Sequence, residues 1–200
     1  MHTVWSRVWM IGVVLAGGAL AAAAQQQPAK QADTTAHGPQ AAAPNKGETP
    51  QQFLAKRSGE WTRTIRFVGQ PDAQTQSFTG TSKFTAISGG RFLLEEYNDV
   101  VSGRPITGTR LFGFNTVTGQ YEAALTGTTS PAILMLKGKS SDDGKVVDYS
   151  GESESARGDK FTLNVRVRQV DDDHIVMSFS MTGADGKPNT FQETSYARKK

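Results

Sequence analysis

The stretch "FTLNVRVRQVDDDHIVMSFSM" (Phe161–Met181) decides the fold. Phe161, Leu163, Val165 and Val167 alternate with Thr162, Asn164, Arg166 and Arg168. After an acidic break, Ile175, Met177, Phe179 and Met181 recur at every second position. Successive side chains of a strand point to opposite faces, so each run is a strand with one buried and one wet side. The Asp-rich break between them is turn chemistry that folds the second strand back onto the first.

The same period extends outward in both directions. Strands are expected at Trp61–Val68, Thr75–Ile87, Arg91–Val101, Ile106–Asn115, Gln120–Thr128, Ala132–Ser140, Val146–Glu154 and Asn189–Arg198. Clusters of Gly, Asp, Asn or Pro separate them, among them "GQPDAQ", "SGG", "VSGRP", "NTVTGQ", "SDDGK", "ARGDK" and "GADGKPN". A short helix is expected before them, at Pro50–Ser58. About ten strands joined by short turns, with no helix between them, define an all-β antiparallel up-and-down meander. Closing it into a barrel removes both exposed edges, and a two-sheet sandwich is the alternative.

The N-terminal end has a different character. His2 and Arg7 precede a short apolar run, Trp9–Leu20, and Ala22-Ala23-Ala24 fits a small-x-small cleavage site. Residues 1–24 are therefore expected to be a signal peptide, with Gln25 as the mature N-terminus and an exported, periplasmic or secreted product. The run is shorter than the ~20 apolar residues of a membrane span, which argues against an uncleaved anchor. Residues 25–49, rich in Gln, Ala, Pro and Thr without apolar period, are expected to be a disordered linker. Residues 50–200 form the domain, about 150 residues, long enough to bury its own core. The chain has no cysteine, so disulfides and thiol chemistry are excluded.

Charge excludes one class of partner. The chain has 22 basic and 19 acidic residues, and they are interleaved. Nucleic-acid binding calls for clustered Lys and Arg with stacking aromatics, and neither pattern is present apart from Arg198-Lys199-Lys200 at the end.

The candidate site lies in "GGRFLLEEYNDVV" (Gly89–Val101), where two glutamates stand side by side in a strand. Glu95 and Glu96 must face opposite ways. If "SGRP" is a four-residue loop, Val101 pairs with Ile106, Tyr97 with Arg110, and Glu95 with Phe112. One face then carries Leu93, Glu95, Tyr97, Val101, Ile106, Arg110, Phe112 and Phe114. This face is the more aromatic and is expected to point inward, with Glu95 diagonal to Arg110 and Glu96 outside. A loop one residue longer or shorter would exchange the two glutamates. A buried Glu95–Arg110 pair serves either as a structural ion pair or as the polar anchor of a small-ligand site.

Catalytic and metal chemistry find little support. Of three histidines, His2 belongs to the signal, His37 to the linker, and His174 to the polar side of a strand start. There is no Gly-x-Ser-x-Gly elbow, phosphate loop or dinucleotide fingerprint. "VDDDH" (Val170–His174) has hard ligands without the spacing of a calcium loop and reads as a solvated turn. No metal, haem or other cofactor is expected.

"SGEW" (Ser58–Trp61) resembles the opening motif of lipocalin-type barrels. That resemblance implies that Trp61 plugs one barrel end and that Arg198, in "TSYARKK", stacks over it. The body from about Phe53 to Lys199 resembles the bacterial domain-of-unknown-function family 1579. The likeness is carried by Gly89, Gly90, Arg91, Phe92, Glu95, Glu96, Tyr97, Gly108, Gly113, Phe114 and Asn115, and by "MTGADGKPNTFQETSYARK" near the end. It implies a calycin-like barrel and brings no catalytic residues. The family often has a Trp and an Asp after the Tyr of the next strand, where this chain has "YEAALTG" from Tyr121. Two functions follow as expectations. One is a barrel that binds a small, partly apolar molecule inside, with Glu95, Tyr97, Arg110 and Phe112 as contacts. The other is a filled barrel acting as a non-catalytic envelope interaction or structural module.

Overall fold

A computed structural model describes residues 48–68, 77–141, 144–155, 158–182 and 186–200. The expected signal peptide, and all of the expected linker except Glu48 and Thr49, lie outside the described residues. The described chain opens with α1 (Pro50–Ala55). Thr49 caps it: the Thr49 hydroxyl accepts the Gln52 backbone N–H (3.2 Å), and the Gln52 side-chain oxygen accepts the Thr49 N–H (2.9 Å). Pro50 sits in the first turn, where its missing N–H costs nothing. Phe53 and Leu54 are the helix's buried residues and belong to the barrel's core cluster.

Ten strands follow: β1 (Gly59–Phe67), β2 (Ser77–Ile87), β3 (Phe92–Val101), β4 (Arg104–Asn115), β5 (Gln120–Gly127), β6 (Leu134–Ser141), β7 (Val146–Glu154), β8 (Lys160–Gln169), β9 (His174–Thr182) and β10 (Pro188–Arg198). Each pairs antiparallel with its neighbours in sequence, and β10 closes on β1, so the sheet is a barrel rather than a sandwich. No helix among the described residues is long and apolar enough to cross a membrane.

The β3–β4 hairpin corrects the expected register. Val101 pairs with Arg104, not Ile106, across a two-residue turn of Ser102 (φ 51°) and Gly103 (φ 76°). Two successive positive-φ residues match the right-handed twist of the flanking strands. Val100 then faces Pro105, which has no N–H to give to the ladder. The register moves by two residues, so the faces are preserved while the partners change. Glu95 lies directly opposite Arg110, Leu93 opposite Phe112 and Tyr97 opposite Gly108.

The core is one cluster of inward side chains, including Trp61, Phe84, Leu93, Phe112, Tyr121, Val147, Val165 and Met177. Inward glycines are part of its packing. Tyr149 lies over its cross-strand partner Gly138, Leu136 over Gly151, Asp99 over Gly80, and Tyr97 over Gly108 and Gly127. The space these glycines leave is therefore occupied by large side chains from the adjacent strands.

Candidate functional site

Four charged side chains meet inside the barrel. Glu95 on β3 is 0 % exposed and accepts three hydrogen bonds. They come from Ser82 Oγ (3.0 Å), Arg110 Nη1 (2.9 Å) and the Tyr196 hydroxyl (3.1 Å). Arg110 Nη1 also donates to the Tyr196 oxygen (2.9 Å). Two inward positions further along β3, beyond Tyr97, Asp99 accepts from Arg63 Nη1 on β1 (2.8 Å). Both guanidinium groups stack on Tyr97, Arg63 at 4.3 Å and Arg110 at 4.4 Å from the ring centroid. The phenol of Tyr97 is thus held between two cations whose charges are balanced by Glu95 and Asp99.

Burial and pairing pull these groups in opposite directions. Burial works against the Arg110 cation, but the charge of Glu95 and the Tyr196 and Tyr97 phenols outweigh it, so its pKa ends above the ordinary value. Burial pushes the Asp99 carboxyl up, with Arg63 and Arg110 pulling it back. Burial also raises the Tyr196 phenol to about 12, against the pull of Arg63. Arg110 therefore stays a cation and the Tyr196 phenol stays neutral at neutral pH, while burial moves the Asp99 carboxyl toward protonation against the pull of its partner Arg63.

The structure brings Glu95, Tyr97 and Arg110 together. Phe112 lies one inward position nearer α1, where its ring stands 6.0 Å from that of Tyr149. Glu96 is exposed. Of the four expected contacts, Tyr97 keeps the most exposure, 9 %. Sequence reasoning missed Arg63, Asp99 and Tyr196. Arg63 has the inward parity of Trp61 and Ile65, Asp99 that of Glu95 and Tyr97, so alternation alone carried the signal. At the α1 end, the Arg198 guanidinium lies 4.2 Å from the Trp61 ring centroid. It donates to the carbonyls of Ser58 (2.7 Å) and Lys56 (2.9 Å).

His174 is exposed, with Nδ1 2.8 Å from the Asp171 carboxylate. Asp171 also accepts the Asp173 backbone N–H, which lowers its pKa, and the His174 contact lowers it further. Among the described residues no group of three or more His, Asp or Glu side chains could hold a metal ion.

The packing of Tyr97 on glycine yields a test. A Cβ at Gly127 would stand 2.6 Å from the Tyr97 hydroxyl and 3.1 Å from the Thr107 carbonyl. Gly127→Ala is expected to cost about 1–3 kcal/mol in urea denaturation. In a Tyr97→Phe background the cost should fall by at least half, because the clashing oxygen is gone. Equal costs in both backgrounds would show that the phenol does not rest on that glycine.

A closed ten-stranded antiparallel barrel with a helix at one end and a mainly apolar interior holding one buried charged cluster defines a calycin-like barrel protein. Residues 46–198 match the family described as protein of unknown function (DUF1579), and the chain belongs to that family. No curated protein matches it. Among solved structures, Rv2717c from M. tuberculosis is similar with a TM-score of 0.56 at 17% identity, covering 76% of this chain and 98% of that one. The S-type phycobiliprotein lyase CPES from Guillardia theta has a TM-score of 0.54 at 11% identity, covering 77% and 94%. At these identities the likeness establishes the fold alone.

Proposed function

We propose that this protein is an exported barrel that binds a small, partly apolar molecule against the inner wall at the end away from α1. The observation that carries this reading is Tyr97, clamped between Arg63 and Arg110. It faces the barrel end that bears the half-buried rings of Phe67, Phe78, Phe161 and Phe191. A mostly apolar enclosure with a few fixed polar groups is the usual make-up of a small-ligand site. In this reading Arg110 and Tyr97 contact the ligand, while Glu95 and Phe112 hold the wall behind them. Export is supported by the apolar run Trp9–Leu20 and the Ala22–Ala24 site.

Native mass spectrometry of the full chain, expressed with export and purified without denaturant, tests both parts. The expected polypeptide begins at Gln25 and carries a reproducible adduct, or takes up an apolar fluorescent dye. The adduct or dye should be lost in a folded Phe161→Glu, Phe191→Glu variant. A bare mass with no dye uptake sinks the ligand reading, and retention of residues 1–24 sinks the export reading.

A second reading, an interaction module working from its outer face, is favoured by one observation. Leu94, Leu111, Ala124 and Met135 lie side by side across four strands on the outside. Leu111, Ala124 and Met135, with Phe92 and Val117, line an open groove of about 340 Å³.

A further inference from the structure

The buried charges of the barrel do not balance among the described residues. Five charged side chains are buried: Arg57, Arg63, Arg110, Glu95 and Asp99. Arg63 is paired with Asp99 and Arg110 with Glu95, which leaves Arg57 without a carboxylate. Arg57 follows α1 and is 2 % exposed. Its Nε donates to the Gln169 side-chain oxygen (3.1 Å), and its guanidinium lies 4.6 Å from the Phe53 ring centroid. Its Nη2 has no partner. An unpaired buried cation is among the most costly groups a fold can carry.

Three hydroxyl groups of the core also lack well-formed hydrogen bonds. Tyr121 and Tyr149 flank Gly138 in one row of the sheet, their rings edge to face at 6.5 Å. The Tyr149 oxygen is buried without a hydrogen-bond partner; the Tyr121 oxygen and Ser140 Oγ on β6 are buried without a well-formed bond, although Ser140 lies near enough to pull the Tyr121 phenol down. Burial pulls the Arg57 pKa down, opposed most by Tyr149 and then Tyr121, so both phenols lie within electrostatic reach of the guanidinium. Burial also raises both phenol pKa values, so neither supplies the missing negative charge. Each hydroxyl can donate as well as accept, and a buried cation with such donors within its electrostatic reach is matched by an acceptor that is negatively charged.

We propose that the barrel interior beside Arg57 is a binding site for a small monovalent inorganic anion of the halide class, held by Arg57 Nη2 and the hydroxyls of Tyr121 and Tyr149. The inference is independent of the ligand reading at the other end of the barrel. It makes the anion a buried structural counter-ion, sealed in by Phe53, Leu54 and Trp61, which are themselves buried.

The full chain is unfolded in urea and refolded in gluconate buffer, and chloride or bromide then replaces gluconate during refolding at constant ionic strength. The expected result is a saturable rise in Tm with either halide. Tyr149→Phe and Tyr121→Phe should each raise the half-saturating halide concentration about tenfold, the loss of one hydrogen bond to a charged group. Arg57→Gln should abolish the response. If that variant does not fold, the two tyrosine variants decide. Crystals of the protein refolded in bromide should show an anomalous peak beside Arg57 Nη2. Water alone at that position overturns the proposal. So does a melting response that follows ionic strength alone and is unchanged in the tyrosine variants.

Discussion

Replacing Glu95 with alanine is expected to destabilise the barrel by about 3–5 kcal/mol. Glu95 is fully buried and accepts from Ser82, Arg110 and Tyr196, so its removal strips three donors at once. The larger loss is electrostatic. Arg110 would remain inside the barrel, with Asp99 already committed to Arg63. A single domain has only about 5–15 kcal/mol in total, so the variant should sit close to the edge of folding. The partner experiment removes both charges. Glu95→Leu with Arg110→Met takes away the pair and leaves no orphaned ion, so it should cost clearly less than Glu95→Ala alone. Trp61 is the sole described tryptophan, buried in the core, and its fluorescence can follow urea unfolding. A loss below about 1 kcal/mol for Glu95→Ala would mean that water or another group compensates Arg110, and the pair would then not be what fixes the wall.

The contrast with a surface pair sharpens that expectation. Arg166 and Asp148 approach to 2.6 Å on the outer face, with side chains 64% and 45% exposed. Solvent and salt screen such a pair, and its removal should be felt at about 0–1 kcal/mol. Similar distances thus have very different consequences, and burial decides between them.

The direction of Glu95 was legible in the sequence for a definite reason. Period-two patterning fixes which residues share a face, and a register error of two residues leaves every face unchanged. The partner of Glu95 was not legible, because it depends on the turn. Serine seldom takes positive φ, so "SGRP" does not announce the two-residue turn Ser102–Gly103. The ten-strand meander was legible because turn chemistry and alternation are both local, whereas its closure rests on the pairing of β1 with β10, which no local signal reports, so the sequence alone leaves a sandwich open. The packing of Tyr97 over Gly108 and Gly127 was hidden, since the three residues lie on three different strands and meet only once the register is known. Arg57 was hidden for another reason. It lies between α1 and β1, where no period tells inside from outside.

The same distinction governs the α1 end of the barrel, where a short sequence motif has a large structural consequence. Trp61→Ala is expected to cost about 3–5 kcal/mol, the usual penalty for deleting a buried aromatic ring. In a domain of this size that corresponds to roughly 6–20 °C in Tm. Trp61 is 0 % exposed and packs edge to face on Phe84 at 6.1 Å. Its indole N–H donates to the Arg57 carbonyl (2.9 Å), so the ring also fixes the chain between α1 and β1. Trp61→Phe should keep much of the packing and lose that bond, giving an intermediate loss. Arg198→Ala removes the stacked guanidinium and its bonds to the Ser58, Lys56 and Asp172 carbonyls, but it creates no cavity in the core. Its cost should therefore be smaller than that of Trp61→Ala. Hydrogen exchange provides the discriminating measurement. If Arg198 pins the segment after α1 to the barrel end, Arg198→Ala should speed exchange of the Arg57 and Ser58 amides, which bond back to Leu54 and Ala55. Amides in the middle of β8, far from this contact in the ladder, should be unaffected. Uniformly faster exchange across the barrel would indicate global loosening instead, and the plug would then be a property of Trp61 alone.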